Sequence, residues 1–145
     1  MKIIAHRGNL NGPNPEFENN PDYIDESLNQ NFEAEIDVWY LDNNFYLGHD
    51  LPLFKIDKKW ILDRSDKLWC HAKNIEAIEQ MFEDTLINYF WHETDKITLT
   101  SKGIPWCYPN TYTSRGITVE YNYKIIPDVY GICTDYCLTW RKKCN

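Results

Sequence analysis

Two carboxylates, Glu35 and Asp37, stand two residues apart in Ala34-Glu35-Ile36-Asp37-Val38. Positions i and i+2 of a strand point to one face. Two carboxylates so placed repel unless something positive sits between them, and a divalent cation with oxygen ligands does this well. The plain alternative is an exposed polar face on a sheet edge. The same spacing recurs in Leu68-Trp69-Cys70-His71-Ala72-Lys73, now with His71 and Lys73. On a neighbouring parallel strand, His71 could complete a metal site and Lys73 could meet a phosphate. Without that neighbour they are a buried histidine with one hydrogen bond and a lysine at the sheet's rim.

His6-Arg7-Gly8 closes the first apolar run, and Gly48-His49-Asp50 places a second histidine on a loop, again beside a glycine. Glycine lets the chain turn sharply. Arginine offers a planar fork that fits phosphate. Histidine is the side chain best suited to move a proton near neutral pH. Two histidines, an arginine and a carboxylate pair are the parts needed to cut a phosphodiester. One histidine takes the nucleophile's proton and the other protonates the leaving oxygen, while a metal and the arginine neutralise charge on phosphorus. Which histidine does which is open at this point.

The order of these pieces resembles the glycerophosphodiester phosphodiesterase family. The resemblance rests on His6-Arg7-Gly8 at the start, Glu18-Asn19 in the following loop, Glu35-x-Asp37 then Val38, and Asp42-Asn43 ahead of Gly48-His49-Asp50. It covers residues 4–52. His71-Ala72-Lys73 stands where that family has a Glu-x-Lys strand, and Gly131-Ile132-Cys133-Thr134-Asp135 looks like its final strand. Phosphatidylinositol-specific phospholipase C and sphingomyelinase D-type enzymes share the superfamily plan. The resemblance implies a (β/α)₈ barrel with catalysis at the strands' C-terminal ends. It implies a Mg²⁺ or Ca²⁺ ion on Glu35 and Asp37, with His71 in place of the family's third carboxylate ligand. It also implies His6 and His49 as acid and base, and Arg7 and Lys73 on the phosphate. A neutral imidazole lowers the charge of such a site and suits those hard ions less well.

The elements that must position these groups read as short strands separated by polar loops. Strands are expected near residues 2–6, 34–40, 45–48, 68–72 and 87–92, then near 97–99, 104–108, 116–121 and 131–134. Asn20-Pro21 and Asn74 look like helix starts, which predicts helices over about 21–30 and 74–83, with a last helical turn near 138–142. Strands alternating with helices in the first half argue for βα units. A full (β/α)₈ barrel takes about 250 residues, and this chain has 145. The expectation is therefore a trimmed barrel, a single domain over 1–145, with several outer helices missing.

Hydrophobic residues make up 43% and aromatics 15%, enough to rule out disorder and to build the core on Tyr, Trp and Phe. A formal net charge of -7 repels phosphate backbones, so nucleic acid is not an expected partner. No run of about 20 apolar residues is present to span a membrane. The opening Met1-Lys2-Ile3-Ile4-Ala5 has too short an apolar stretch for a secretory leader, which predicts the cytoplasm. Five cysteines without a Cys-x-x-Cys pair read as free thiols. His92 shares a strand face with Phe90 and Asn88, and is read either as part of the site's lining or as a rim histidine. Trp106 and Tyr108 form either an aromatic wall for a sugar or glycerol group, or core. Arg141-Lys142-Lys143 reads as a solvated helix end. Two functions stand side by side: a metal-dependent phosphodiesterase acting on a small glycerophosphodiester-like substrate, or a degenerate barrel that binds a phosphate ligand without turnover. The chain is expected as a monomer, or as a homodimer through the helix-poor second half.

Overall fold

The computed structural model describes residues 1–122 and 127–144. Its strands in chain order are β1 (Lys2–His6), β2 (Glu33–Leu41), β3 (Asn44–Leu47), β4 (Phe54–Ile56), β5 (Leu68–Ala72), β6 (Tyr89–Phe90), β7 (Ile97–Leu99), β8 (Pro105–Cys107), β9 (Ile117–Val119) and β10 (Gly131–Thr134). The helices are α1 (Pro21–Asn29), α2 (Lys58–Leu62), α3 (Ile75–Phe82) and α4 (Cys137–Cys144). The helix starts follow from their caps. The Asn20 side chain accepts from Asp22 N with Pro21 in the first turn, and the Asn74 side chain accepts from Ala77 N. The β4 strand and α2 fall in 54–62, where the sequence carries no comparable cap or period.

All ten strands join one sheet. The order β6-β5-β2-β1-β10-β9-β8 runs parallel, and β3, β4 and β7 are antiparallel additions. The trimmed (β/α)₈ barrel expected from the sequence is thus not what forms. The structure is a curled mixed sheet, a half-barrel, with 21% helix. A (β/α)₈ barrel alternates strand and helix throughout; here β2 is followed by an antiparallel hairpin, and β8 to β9 is crossed by a loop. The polar, turn-rich segments after β2 and after Glu93 lack the apolar 3.6-residue period that would have made helices.

The curl has two apolar faces. On its outside, Ile24, Leu28, Ile61, Ala77 and Met81 of α1, α2 and α3 pack on Ala34, Ile36, Val38, Leu68 and Cys70. On its inside, Ile4, Trp69, Phe90, Trp106, Ile117, Val119 and Cys133 form a second cluster. Trp106 stacks on Phe90 with centroids 4.5 Å apart, and Trp69 lies 5.6 Å from Trp106. Strand alternation then dictates what lies one step further along the inner face: His6 after Ile4, His71 after Trp69, His92 after Phe90. Cys70, Cys107, Cys133 and Cys137 are buried free thiols and Cys144 is an exposed one. Among the described residues no helix is long and apolar enough to cross a membrane.

Candidate functional site

Register gathers the inner-face groups. His6 is level with Glu35, and Asp37 is level with His71, which is level with Phe90. The β1 strand stops at His6, and β3 begins pairing with β2 only at Val38. The Asp37 N–H therefore lies in a gap in the ladder. Asn19 fills it: its Oδ1 accepts from Asp37 N at 2.9 Å, and its Nδ2 donates to Asp37 Oδ2 at 2.9 Å. Asn19 adopts φ 63° to do so, and Arg7 sits at φ 53°. The other non-glycine residues of positive φ among those described are Asn or Asp, types that tolerate the left-handed region. Arg7 does not belong to that class, and its conformation costs about 1–3 kcal/mol. It is held there by bonds from Arg7 N to Glu35 O and from Asn19 N to Arg7 O.

Asp37 is fully buried and Glu35 nearly so, yet their surroundings differ. Arg7 Nε lies 3.1 Å from Asp37 Oδ2, and Lys73 Nζ lies 3.6 Å from Oδ1. Burial works against ionising Asp37, but His71, Arg7 and Lys73 outweigh it and its pKa falls well below the usual carboxylate range. Burial and then the Asp37 charge push Glu35 up. Its Oε2 accepts the backbone N–H of Arg7, at 3.2 Å. His71 Nδ1 faces both acids, 3.1 Å from Asp37 Oδ1 and 3.9 Å from Glu35 Oε1. Among the described residues Asp37 Oδ1 meets these charged neighbours without a hydrogen bond of good alignment. One donor atom from each of Glu35, Asp37 and His71 lies within 4.8 Å of the others. A buried carboxylate oxygen between a second carboxylate and an imidazole nitrogen fits a divalent cation.

The histidines expected to handle protons sit in unlike places. His6 is held on β1, its Nδ1 2.8 Å from Asp135 Oδ1. Asn9 Nδ2 donates to the same oxygen at 2.8 Å. Burial lowers the His6 pKa, but the Asp135 bond and the Glu35 charge overcome it and the net shift is upward. His49 is on the loop after β3, its Nδ1 2.8 Å from Asp50 Oδ1, with both side chains open to solvent. Its pKa is lowered by burial and then by Arg7. Gly48 makes this loop: a Cβ there would lie 1.9 Å from Leu51 O.

A cavity of about 160 Å³ unites these groups; His6, Arg7, Glu35, His49 and His71 line it. Its other wall is aromatic, with Phe90, His92, Trp106, Tyr108 and Tyr121. His92 thus lines the site; its ring lies edge-on 4.6 Å from Tyr108. Trp106 serves both as inner core and as wall. Asp37 and Lys73 do not reach the lining: Asp37 is fully buried, and Lys73 lies against it as a counter-ion. Nothing in the sequence singles out Asn9 or Tyr121, and Asp135 stands out there only as the end of a strand. The register Ala5 to Thr134 puts Asp135 beside His6, but only the β1–β10 pairing reveals it. Glu18 fixes Arg7 through a 3.1 Å bond from Nη1 and fixes Asn9 through a 2.8 Å bond. The chain matches no protein-family model, no curated protein and no solved structure.

Proposed function

We propose that the chain is a metal-dependent phosphodiesterase acting on a small glycerophosphodiester-like substrate. The observation that carries this reading is the convergence of Glu35, Asp37 and His71 donor atoms beside the cavity that also collects Arg7, His6 and His49. Glu35, Asp37 and His71 would hold the ion. When bound, it supplies positive charge to the phosphate oxygens. Arg7, fixed by Glu18 and Asp37, adds a second cation on the same oxygens. A carboxylate only accepts, so Asp50 fixes the proton on His49 Nδ1 and leaves Nε2 as a base. His49 Nε2 takes the proton of the substrate hydroxyl as its oxygen bonds to phosphorus. The phosphorus–oxygen bond to the leaving group breaks, and His6 Nε2 donates its proton to that oxygen. Asp135 holds His6 by the opposite nitrogen and favours its protonated form. Opposed pKa directions in two neighbouring groups are the usual mark of an acid–base pair. The cavity volume of about 160 Å³ suits a phosphate with a small polyol, which the aromatic wall would cover.

The 3.1 Å approach of His71 Nδ1 to Asp37 also suits a second reading. A doubly protonated His71 would replace the ion, and the site would bind phosphate without cutting it. Cleavage of glycerol 1-(p-nitrophenyl) phosphate, a diester whose own glycerol hydroxyl can attack phosphorus, with and without EDTA separates the two. Turnover abolished by EDTA and restored by a divalent ion is expected; phosphate binding without metal-dependent turnover would leave the second reading.

A further inference from the structure

We infer that His71 Nδ1 is itself a ligand, so that this centre selects a later first-row transition dication such as Co²⁺ over Mg²⁺ and Ca²⁺. The inference rests on the reading of Glu35, Asp37 and His71 as a cation site, and it fixes which class of cation that site takes.

The ring's proton arrangement is set from behind. His71 Nε2 lies 2.9 Å from the backbone carbonyl of His92. A carbonyl only accepts, so Nε2 carries the hydrogen and Nδ1 of the neutral ring presents its lone pair toward Glu35 and Asp37. A ligating histidine is oriented in this way, its other nitrogen donating to a carbonyl or carboxylate. The ring plane is fixed as well. His71 stacks on Phe90 with centroids 5.0 Å apart and planes 4° apart, and Phe90 stacks in turn on Trp106. The lone pair therefore cannot swing out of the site without breaking both the carbonyl bond and the stack. Nδ1 stands 3.1 Å from Asp37 Oδ1 and 3.9 Å from Glu35 Oε1. Two atoms bound to one cation at about 2.1 Å sit roughly 3.0–3.5 Å apart, so the Asp37–His71 pair is at ligand spacing already and Glu35 Oε1 is a few tenths of an ångström from it on the His71 side.

The charge around the donors points the same way. Mg²⁺ and Ca²⁺ are held by several hard oxygens and by net negative charge. Here Arg7 and Lys73 both lie against Asp37, which offsets much of the charge of the two carboxylates. What the site offers beyond charge is one imidazole nitrogen, and nitrogen donors favour first-row transition ions.

The test uses the whole chain, stripped of metal and titrated separately with Co²⁺, Mg²⁺ and Ca²⁺ by calorimetry, with proton NMR of the Co²⁺ complex. Co²⁺ is expected to bind at least about tenfold more tightly than the other two, and its spectrum to show a hyperfine-shifted, solvent-exchangeable imidazole N–H. H71E, checked for folding by thermal melting, is expected to lose that signal and to narrow the preference for Co²⁺ by at least about threefold. Co²⁺ bound to the native chain without that signal, or Mg²⁺ or Ca²⁺ bound as tightly as Co²⁺, would overturn the inference and leave the metal-centre reading standing. No binding of any of the three ions would overturn both.

Discussion

The floor of the cavity and its rim are built by different means. The floor comes from β1, β2 and β5, where His6, Glu35, Asp37 and His71 project from paired strands and are tied by buried partners such as Asn19 and Asp135. The rim comes from loops and short strand ends. His49 and its partner Asp50 are exposed, and Tyr108 is 43% exposed. Two histidines of one chain thereby acquire opposite proton affinities. The lesson is that strand register fixes the positions of the groups it carries, and loops leave theirs open to solvent. In the floor, charge is compensated; at the rim, it is hydrated.

The largest effect that would break this contrast is removal of Asp37. Its loss strands Arg7 and Lys73 without their buried counter-charge, so Asp37→Ala should cost about 3–5 kcal/mol of stability and abolish turnover. Glu35→Gln should abolish metal-dependent turnover too, yet keep stability within about 1 kcal/mol of the native chain, because it relieves a like-charge contact. Urea unfolding of both variants checks the difference, and equal destabilisation would refute the distinction. Next in size, His6→Ala and His49→Ala should each lower kcat by at least about 10²-fold, with phosphate product binding changed far less. Near-native rates in either would make that histidine structural.

The pH profile sharpens the comparison further. His49 is pushed below its usual value of about 6.5, which favours the neutral form a base needs, and His6 is pushed above it, which favours the protonated form an acid needs. The profile of kcat/KM should be bell-shaped. It falls on the acid side as His49 gains a proton and on the alkaline side as His6 loses one. Asp135→Asn should move the alkaline limb to lower pH and leave the acid limb in place, since Asp135 touches only His6 of the pair. Movement of both limbs would count against the assignment. The smallest effect belongs to the rim. Tyr108→Ala should raise KM by about threefold to tenfold with kcat unchanged, as steady-state kinetics on a glycerol-bearing phosphodiester would show.

Much of this site is legible in the sequence because it is local. Glu35 and Asp37 share a face by strand period alone, and His6 and His49 stand beside glycines that mark turns. Asn20 and Asn74 announce their helices by capping. Other features are not local. Asp135 gains meaning only when β10 lies beside β1, and Asn19 only where β1 ends and β3 has not begun. Lys73 shares the face of His71 but extends past the end of β5 and stops at Asp37. The barrel expectation extrapolated the strand–helix alternation of the first half. The segments after β2 and after Glu93 carry turn residues and short β-branched or aromatic runs instead of a helical period, and a curled sheet with antiparallel additions results.

The parallel pairing of β1 with β10 has a consequence for how the molecule comes into being. His6 and Asp135 are separated by 129 positions along the chain. As a ribosome or a refolding experiment builds the structure, Glu35, Asp37 and His71 can find one another among the first half of the residues, with the short loop closures that favour early contacts. The bond that orients His6 must wait for β10, which slots in between β1 and β9. The carboxylate–imidazole cluster is thus early by topology, and the contact that orients His6 is late.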